Sequence, residues 1–140
     1  MKHTLRSNNK GFTLIEVLVV VIIVAVLAAV AFPIYQQYVK SAYASEAQAT
    51  IGAIMNASQM YYQDMGTYPE DVEAQLEPRY LQINRATKKS WTFVLVGGGG
   101  ENPPSQITAT STEEMKQGAG NEIIFDTETG RFSGFGFDNE

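Results

Sequence analysis

The sequence predicts an α+β protein in which a long N-terminal α-helix, transmembrane over its first half, packs on a small antiparallel β-sheet. Two observations predict this fold class. The first third of the 140-residue chain contains one long apolar block, and the last third contains short segments of alternating polar and apolar residues separated by turn residues. Because a chain of this length usually forms one domain, we interpret the two patterns as parts of one protein.

Residues 12–32 form the apolar block, in which Thr13 and Glu16 are the only polar side chains. As an α-helix, these residues extend over about 31 Å, which matches the hydrocarbon thickness of a bilayer. A buried helix of a soluble protein is the alternative, but the rest of the chain is too short to surround a helix that is apolar on every side. We therefore predict a transmembrane helix over residues 12–33.

The residues before the apolar block are basic, at Lys2, Arg6 and Lys10, and include no acid. By the positive-inside rule, this distribution keeps the N-terminus in the cytoplasm and places the rest of the chain across the membrane. A cleaved secretory signal peptide is the competing interpretation, because the small residues at positions 28–31 resemble a signal-peptidase site. The residues at the start of the block decide between the two interpretations.

Residues 10–16 read Lys-Gly-Phe-Thr-Leu-Ile-Glu and are followed by the apolar run and then by Pro33. This segment resembles the processing motif, or class III signal, of the type IV pilin and pseudopilin family. The resemblance is strong over residues 8–65 and extends to the remainder only in general layout. It implies the pilin fold and an apolar helix that stays in the mature protein, which argues against the secretory signal peptide.

The resemblance implies that a prepilin peptidase removes residues 1–11 as a leader. Cleavage falls between Gly11 and Phe12, and the same enzyme methylates the new amino group of Phe12. Glycine suits this position because a backbone without a side chain can lie close to the catalytic groups of a protease. Loss of the leader removes three basic residues and no acid, so the net charge changes from −5 to −8.

Glu16 is the candidate assembly residue. A carboxylate costs about 2.5–3.5 kcal/mol at the centre of a membrane and less near the headgroups, which Glu16 reaches in a membrane-stored subunit. In a polymer with a dry helical core, the acid needs a positive partner. The resemblance implies that this partner is the Phe12 amino group of a neighbouring subunit.

Pro33 is the second assembly candidate. Proline lacks a backbone donor and crowds the preceding turn, so we expect a kink or a locally unwound stretch around residues 25–33. The resemblance implies that the helix melts near this proline in assembled filaments, whereas a simple kink at the membrane exit is the alternative.

Beyond Pro33 the pattern is that of an amphipathic helix over residues 34–65, which we expect to pack on the sheet and to end before Gly66. Its predicted buried stripe comprises Ile51, Ile54, Met55, Ser58, Tyr61, Tyr62 and Met65. Residues 66–90 are interpreted as a connecting αβ-loop that Leu76, Tyr80 and Leu81 fix to the core. Residues 91–140 are interpreted as an antiparallel sheet of three or four strands with a C-terminal hairpin.

Composition excludes several kinds of active site. The chain has no cysteine, and its single histidine, His3, lies in the leader. A Ser-His-Asp triad, a Cys-His nucleophile and a Cys/His zinc site are therefore excluded, and we expect neither an enzyme nor a cofactor. Without a disulfide, the C-terminal hairpin depends on strand pairing and on Phe132, Phe135 and Phe137.

Three acids near the C-terminus are weak candidates for a calcium site, namely Asp126, Glu128 and Asp138. Carboxylates are suitable calcium ligands, but the spacing is not that of an EF-hand loop. We therefore favour solvated turn residues and expect no metal.

These features predict a structural subunit of a type IV pilus, which polymerises through its N-terminal helix into a surface filament for adhesion, twitching motility or biofilm formation. The implied partners are further copies of the chain, a prepilin peptidase, and the pilus assembly platform with its ATPase. The subunit is expected to reside in the bacterial inner membrane as a single-pass protein with a cytoplasmic N-terminus before it enters the extracellular pilus.

The alternative is a pseudopilin of a type II secretion system, which stays in the periplasm. The sequence lacks the Asp-Pro-Trp-Gly-type segment that major pseudopilins tend to carry. No direct nucleic-acid binding is expected, because the acidic charge opposes contact with phosphates and the basic patch of Arg85, Lys88 and Lys89 is small.

Overall fold

The computed structural model describes residues 11–137, which separate into two compact units, residues 11–37 and residues 38–137. We describe each unit by itself and call the second one the head. The first unit contains the apolar block, and the head contains the sheet.

A single α-helix, α1, spans Leu14–Met65 and contributes residues to both units. The sequence predicts a helix over residues 12–65, so the helix begins slightly later than expected and ends where expected. Thr13 precedes the first turn and accepts a hydrogen bond from the backbone amide of Glu16, as an N-cap residue does. At the other end, the Gly66 amide donates to a carbonyl of the last turn at 2.8 Å, and the chain then leaves the helix.

The head combines the second half of α1 with a four-stranded antiparallel sheet. The strands are β1 (Trp91–Val96), β2 (Gln106–Ser111), β3 (Glu122–Asp126) and β4 (Arg131–Gly134), paired in the order β1-β2-β3-β4. Each strand therefore pairs with its neighbour in sequence. The predicted fold class, a long helix on a small antiparallel sheet, is confirmed.

One apolar core joins α1 to the inner face of the sheet. The buried residues of the helix are Ala44, Ala47, Ile51, Ile54 and Ala57, and those of the strands are Trp91, Leu95, Ile107, Ala109 and Ile123. The register places Leu95 opposite Ile107, so buried side chains of adjacent strands stand side by side under the helix. Removal of this apolar surface from water is the main contribution that fixes the helix to the sheet.

The predicted helical stripe is correct only in part. Ile54 and Ser58 are buried, and the Ser58 hydroxyl is satisfied because it donates to the Ile54 carbonyl at 2.8 Å. Tyr62 and Met65 are instead 38% and 52% exposed. The Tyr62 ring stacks on Tyr68 beyond the end of the helix, with 4.3 Å between ring centroids, rather than on the sheet.

The αβ-loop contains a π-helical turn, Val72–Leu76, and a short helix α2, Arg85–Ser90. The turn buries the Leu76 side chain, as the sequence predicts. The sequence does not predict α2, whose six residues show no apolar periodicity. The helix is held by a side-chain contact, because the buried Thr87 hydroxyl donates to Glu46 of α1 at 2.6 Å.

Aromatic contacts fasten the C-terminal residues. The Phe132 ring centroid lies 4.6 Å from that of Phe125 and 5.3 Å from that of Phe137. The Phe135 ring meets Trp91 edge-on at 6.0 Å. The three phenylalanines expected to close the hairpin thus take part in its packing.

A test of the packing at the sheet edge concerns Gly134, whose φ is 93° and whose added Cβ would lie 2.2 Å from the Glu122 carbonyl oxygen. Gly134→Ala combines a left-handed alanine with a backbone clash, so we expect it to lower the free energy of unfolding by about 3 kcal/mol. Fluorescence of Trp91, the only tryptophan, reports unfolding of the purified protein in denaturant.

Gly130→Ala is the matched control, because Gly130 has a φ of 69° but an added Cβ meets no atom within 4 Å. In this variant the left-handed backbone conformation of alanine alone is expected to lower the free energy of unfolding, by about 1–2 kcal/mol. Equal losses in the two variants would contradict the predicted clash at Gly134.

Candidate processing and assembly site

Gly11, Phe12 and Thr13 precede α1 in a non-helical conformation, and all three are exposed. Phe12 is 88% exposed. A Cβ added to Gly11 would meet no atom within 4 Å, and Gly11 does not have a positive φ. The packing of the described residues therefore does not require glycine at position 11.

Thr13 and Glu16 form a reciprocal pair at the start of α1. The Glu16 amide donates to Thr13 Oγ1 at 3.3 Å, whereas the Thr13 amide and hydroxyl both donate to Glu16 Oε2, at 2.8 Å and 2.9 Å. This is the capping-box arrangement, in which two side chains satisfy amides that the helix leaves without partners. The candidate assembly acid is thus held at the helix end within its own subunit.

Thr13 is not among the site residues predicted from the sequence, although the sequence contains a signal for its role. The spacing Thr-x-x-Glu directly before an apolar run is the sequence signature of a capping box. In this chain the signature coincides with the processing motif, so the same residues carry both patterns.

The apolar block presents a continuous exposed surface. From Phe12 to Phe32, the large apolar side chains are between 47% and 88% exposed. The segment is long and apolar enough to cross a membrane, with a mean hydropathy of 3.3 over 18 residues. Glu16 is its only charged residue, and apolar surface of this extent needs a cover from outside the chain.

The helix continues without interruption through Pro33. This structure of a single chain therefore shows no unwound stretch over residues 25–33. Pro33 lies about 25 Å along the helix from Glu16, so the two assembly candidates are not brought together within one subunit. Melting near Pro33 in a filament stays a prediction.

Two of the calcium candidates, Asp126 and Glu128, lie at the connection between β3 and β4, and Asp138 lies outside the described residues. Asp126 Oδ1 accepts hydrogen bonds from the amide and the hydroxyl of Thr129, at 2.7 Å and 2.9 Å. These two bonds, the one from the amide foremost, hold the pKa of Asp126 below its ordinary value. Within residues 11–137, no three acidic groups gather as a metal site requires.

The comparison with known families points to the same N-terminal residues. Residues 6–32 match the family described as the prokaryotic N-terminal methylation motif. The matched range includes Gly11, Phe12 and Glu16 and ends with the apolar block. The motif and the fold together define a class of protein, namely a prokaryotic protein with an N-terminal methylation motif and, within residues 11–137, one helix long and apolar enough to cross a membrane.

The relatives specify the family. The chain is 45% identical over 117 residues to the fimbrial protein EcpC of Eikenella corrodens, an alignment that covers 80% of this chain and 70% of the relative. It is 47% identical over 67 residues to the type IV major pilin protein PilE of Neisseria gonorrhoeae, covering 48% of this chain and 40% of the relative. A fimbrial protein of Moraxella nonliquefaciens is 55% identical over 41 residues, or 29% of this chain and 27% of the relative.

The chain belongs to the type IV pilin family of fimbrial proteins. It is a structural pilus subunit, as the sequence predicts, and these findings do not favour the alternative of a secretion pseudopilin. The alignments with the Neisseria and Moraxella proteins span less than half of those relatives, so the wider activities of the pilus are proposals for this chain.

The lowered pKa of Asp126 predicts a pH dependence of stability. A carboxyl group whose pKa is lower in the folded state stabilises the fold above its unfolded pKa, at about pH 4, and this contribution is lost as the pH falls through the folded pKa. Thr129→Val removes the hydroxyl donor, so we expect the Asp126 pKa to rise towards its ordinary value and the loss of stability on acidification to become smaller.

Carboxyl NMR titration of Asp126, together with unfolding midpoints between pH 2 and pH 7, checks this prediction. Thr129→Ser is the matched control, because it keeps the hydroxyl donor of Thr129. An Asp126 titration curve that is identical in Thr129→Val and in the wild type would contradict the assigned cause.

Proposed function

We propose that this pilus subunit is stored in the membrane by the apolar half of α1 and that it polymerises through the same half into a surface filament. The observation that carries this proposal is the exposed apolar surface of residues 12–32, which contains a single charged side chain. Lipid covers such a surface in the stored subunit, and the equivalent surfaces of neighbouring subunits replace the lipid in the filament.

The composition of the block suits this exchange of lipid for protein. In lipid the hydrophobic effect does not drive helices together, so their association depends on van der Waals packing. Small side chains improve this packing because they let the helix backbones approach closely. The block carries such residues in its second half, at Ala25, Ala28, Ala29 and Ala31. The segment of residues 12–32 is therefore suited first to the lipid bilayer and then to the helical core of the filament.

Processing precedes assembly. We infer that a prepilin peptidase cleaves the bond between Gly11 and Phe12, removes residues 1–11 and methylates the Phe12 amino group. The bond lies outside α1, and its residues are exposed, as a peptidase substrate requires. Cleavage also creates a positively charged amino group at the first residue of the apolar block.

Glu16 then supplies the opposite charge. In a helical core without water, an amino group and a carboxylate each carry a large desolvation cost unless they are paired. The proposed pair joins Glu16 of one subunit to the Phe12 amino group of a neighbour and thereby sets their axial register. Unwinding near Pro33, whose nitrogen donates no hydrogen bond, is the proposed adjustment of the helix on assembly.

Each segment of the protein has its own proposed place. The basic leader keeps the N-terminus in the cytoplasm, so the stored subunit crosses the inner membrane once with its head in the periplasm. The proposed parts are a transmembrane and polymerisation segment at 12–33, an amphipathic helix half at 34–65, the αβ-loop at 66–90, and the sheet with its hairpin at 91–140.

The proposed assembly platform and ATPase are needed because removing the apolar helix from the membrane costs free energy. Extraction of a helix with this apolar surface from lipid needs a source of work, which an assembly platform driven by an ATPase supplies. The proposed roles of the filament are adhesion, twitching motility and biofilm formation. A structural rather than a catalytic role suits a chain without histidine or cysteine after residue 11.

A first test addresses processing. Gly11→Val places a branched side chain at the cleavage site, and we expect the protein to keep residues 1–11 in membranes that contain the peptidase. Intact mass measurement of the subunit checks this result, with Asn9→Val as a control that leaves Gly11 unchanged. Normal removal of the leader in Gly11→Val would contradict the role of Gly11.

A second test addresses assembly. Glu16→Ala removes the carboxylate and, since hydrogen bonds to charged groups contribute about 1.5–3 kcal/mol, we expect at least a tenfold loss of filament mass at an unchanged level of processed subunit. Electron microscopy and immunoblots of sheared filaments measure the effect, and Glu101→Ala, which removes an exposed acid of the head, is the control. Filaments of normal number and length in Glu16→Ala would overturn the proposed pair.

A further inference from the structure

We propose that the Thr13 hydroxyl positions the Glu16 carboxylate for assembly, which makes Thr13 a positioning residue of the contact between subunits. This inference rests on the proposed pairing of Glu16 with the Phe12 amino group of a neighbour. It goes further because it names a residue that controls the orientation and availability of the carboxylate before the neighbour arrives.

The geometry carries the inference. Both donors of Thr13 bind the same carboxylate oxygen, Oε2, at 2.8 Å and 2.9 Å. Within residues 11–137, the hydrogen bonds of the Glu16 side chain all fall on Oε2, so Oε1 remains able to accept an ammonium group. The carboxylate is therefore fixed through one oxygen and presented through the other.

The apolar side chains around Glu16 make its hydrogen bonds to Thr13 important. Glu16 lies in a segment whose neighbouring side chains are apolar, where a carboxylate has few other donors to stabilise it. A glutamate side chain also has several rotatable bonds, and binding a partner restricts all of them. A bond from Thr13 that already restricts this side chain reduces the further ordering that the contact between subunits requires.

The competing interpretation is that Thr13 only caps the helix. The Glu16 amide donates to Thr13 Oγ1 at 3.3 Å, which is a capping contact independent of the carboxylate charge. The two interpretations are separable because glutamine also completes a capping box. Glu16→Gln therefore keeps a partner for the cap but removes the charge that Thr13 is proposed to position.

The test is a competition for incorporation into filaments. Full-length Thr13→Val, Thr13→Ser, Glu16→Gln and the double variant Thr13→Val/Glu16→Gln are each co-expressed with the wild type. Mass spectrometry of N-terminal peptides gives the ratio of variant to wild type in sheared filaments, divided by the same ratio for processed subunits in the membrane. This division removes any effect on expression or on cleavage of the leader.

We expect Thr13→Val to lower incorporation about tenfold, since it removes a hydrogen bond to a charged group. Thr13→Ser keeps the hydroxyl and is expected to incorporate within about twofold of the wild type. In the Glu16→Gln background, Thr13→Val is expected to change incorporation by no more than about twofold, because the positioned charge is gone.

Two results overturn the inference. Equal losses from Thr13→Val in both backgrounds would leave Thr13 with a capping role alone, and wild-type incorporation of Thr13→Val would remove any role. A different result overturns the underlying proposal, because Glu16→Gln that incorporates as well as the wild type would show that the charge of Glu16 is not needed.

Discussion

The apolar side chains of α1 have to be removed from water, and the two halves of the helix achieve this by different means. In the head, the sheet covers the helix so completely that Ala47, Ile51 and Ile54 have no exposed surface. Over residues 12–32, the large side chains are about half exposed or more, so their cover has to come from lipid or from other subunits. The first arrangement makes a stable fold, and the second makes a protein that depends on its surroundings.

The few polar groups at the start of the apolar segment gain their importance from the same constraint. A carboxylate on a soluble helix is solvated by water, whereas the Glu16 carboxylate lies in an apolar segment and needs local partners. The reciprocal bonds with Thr13 supply those partners and begin the helix at Leu14. The start of α1 thus combines helix capping with the proposed site of proteolysis and the proposed charged contact within a few residues.

Sequence predicts those features that follow from composition and periodicity. The apolar segment is recognisable because twenty-one consecutive residues contain two polar side chains, and Ile51 and Ile54 are recognisable from their helical spacing. Tyr62 and Met65 continue the same spacing but are exposed, because Tyr62 packs on Tyr68 and the sheet does not cover this end of the helix. Periodicity shows which face of a helix is apolar, but it does not show at which residue the packing of the sheet against that face ends.

Other features depend on contacts between distant residues and are not readable from local patterns. The helix α2 has no apolar repeat, and its position depends on the bond between Thr87 and Glu46, which lie forty-one residues apart. The contact between Thr13 and Glu16 is local, by contrast, and its Thr-x-x-Glu spacing makes it readable from the sequence. At Asp126 the sequence reveals the charge of the carboxylate, whereas the hydrogen bonds that it accepts from Thr129, a near neighbour in the chain, are seen only in the structure.

The simple strand order of the head has a consequence for how the protein reaches its folded state. Each strand pairs with the next one in the chain, so the sheet forms without any crossover connection between strands. The connections between paired strands therefore only have to close loops, and the entropic cost of closing a loop rises slowly with its length. Since the chain has no cysteine, its maturation is also independent of thiol oxidation. The fold of the head is therefore reached without a disulfide oxidoreductase, in a reducing or an oxidising compartment alike.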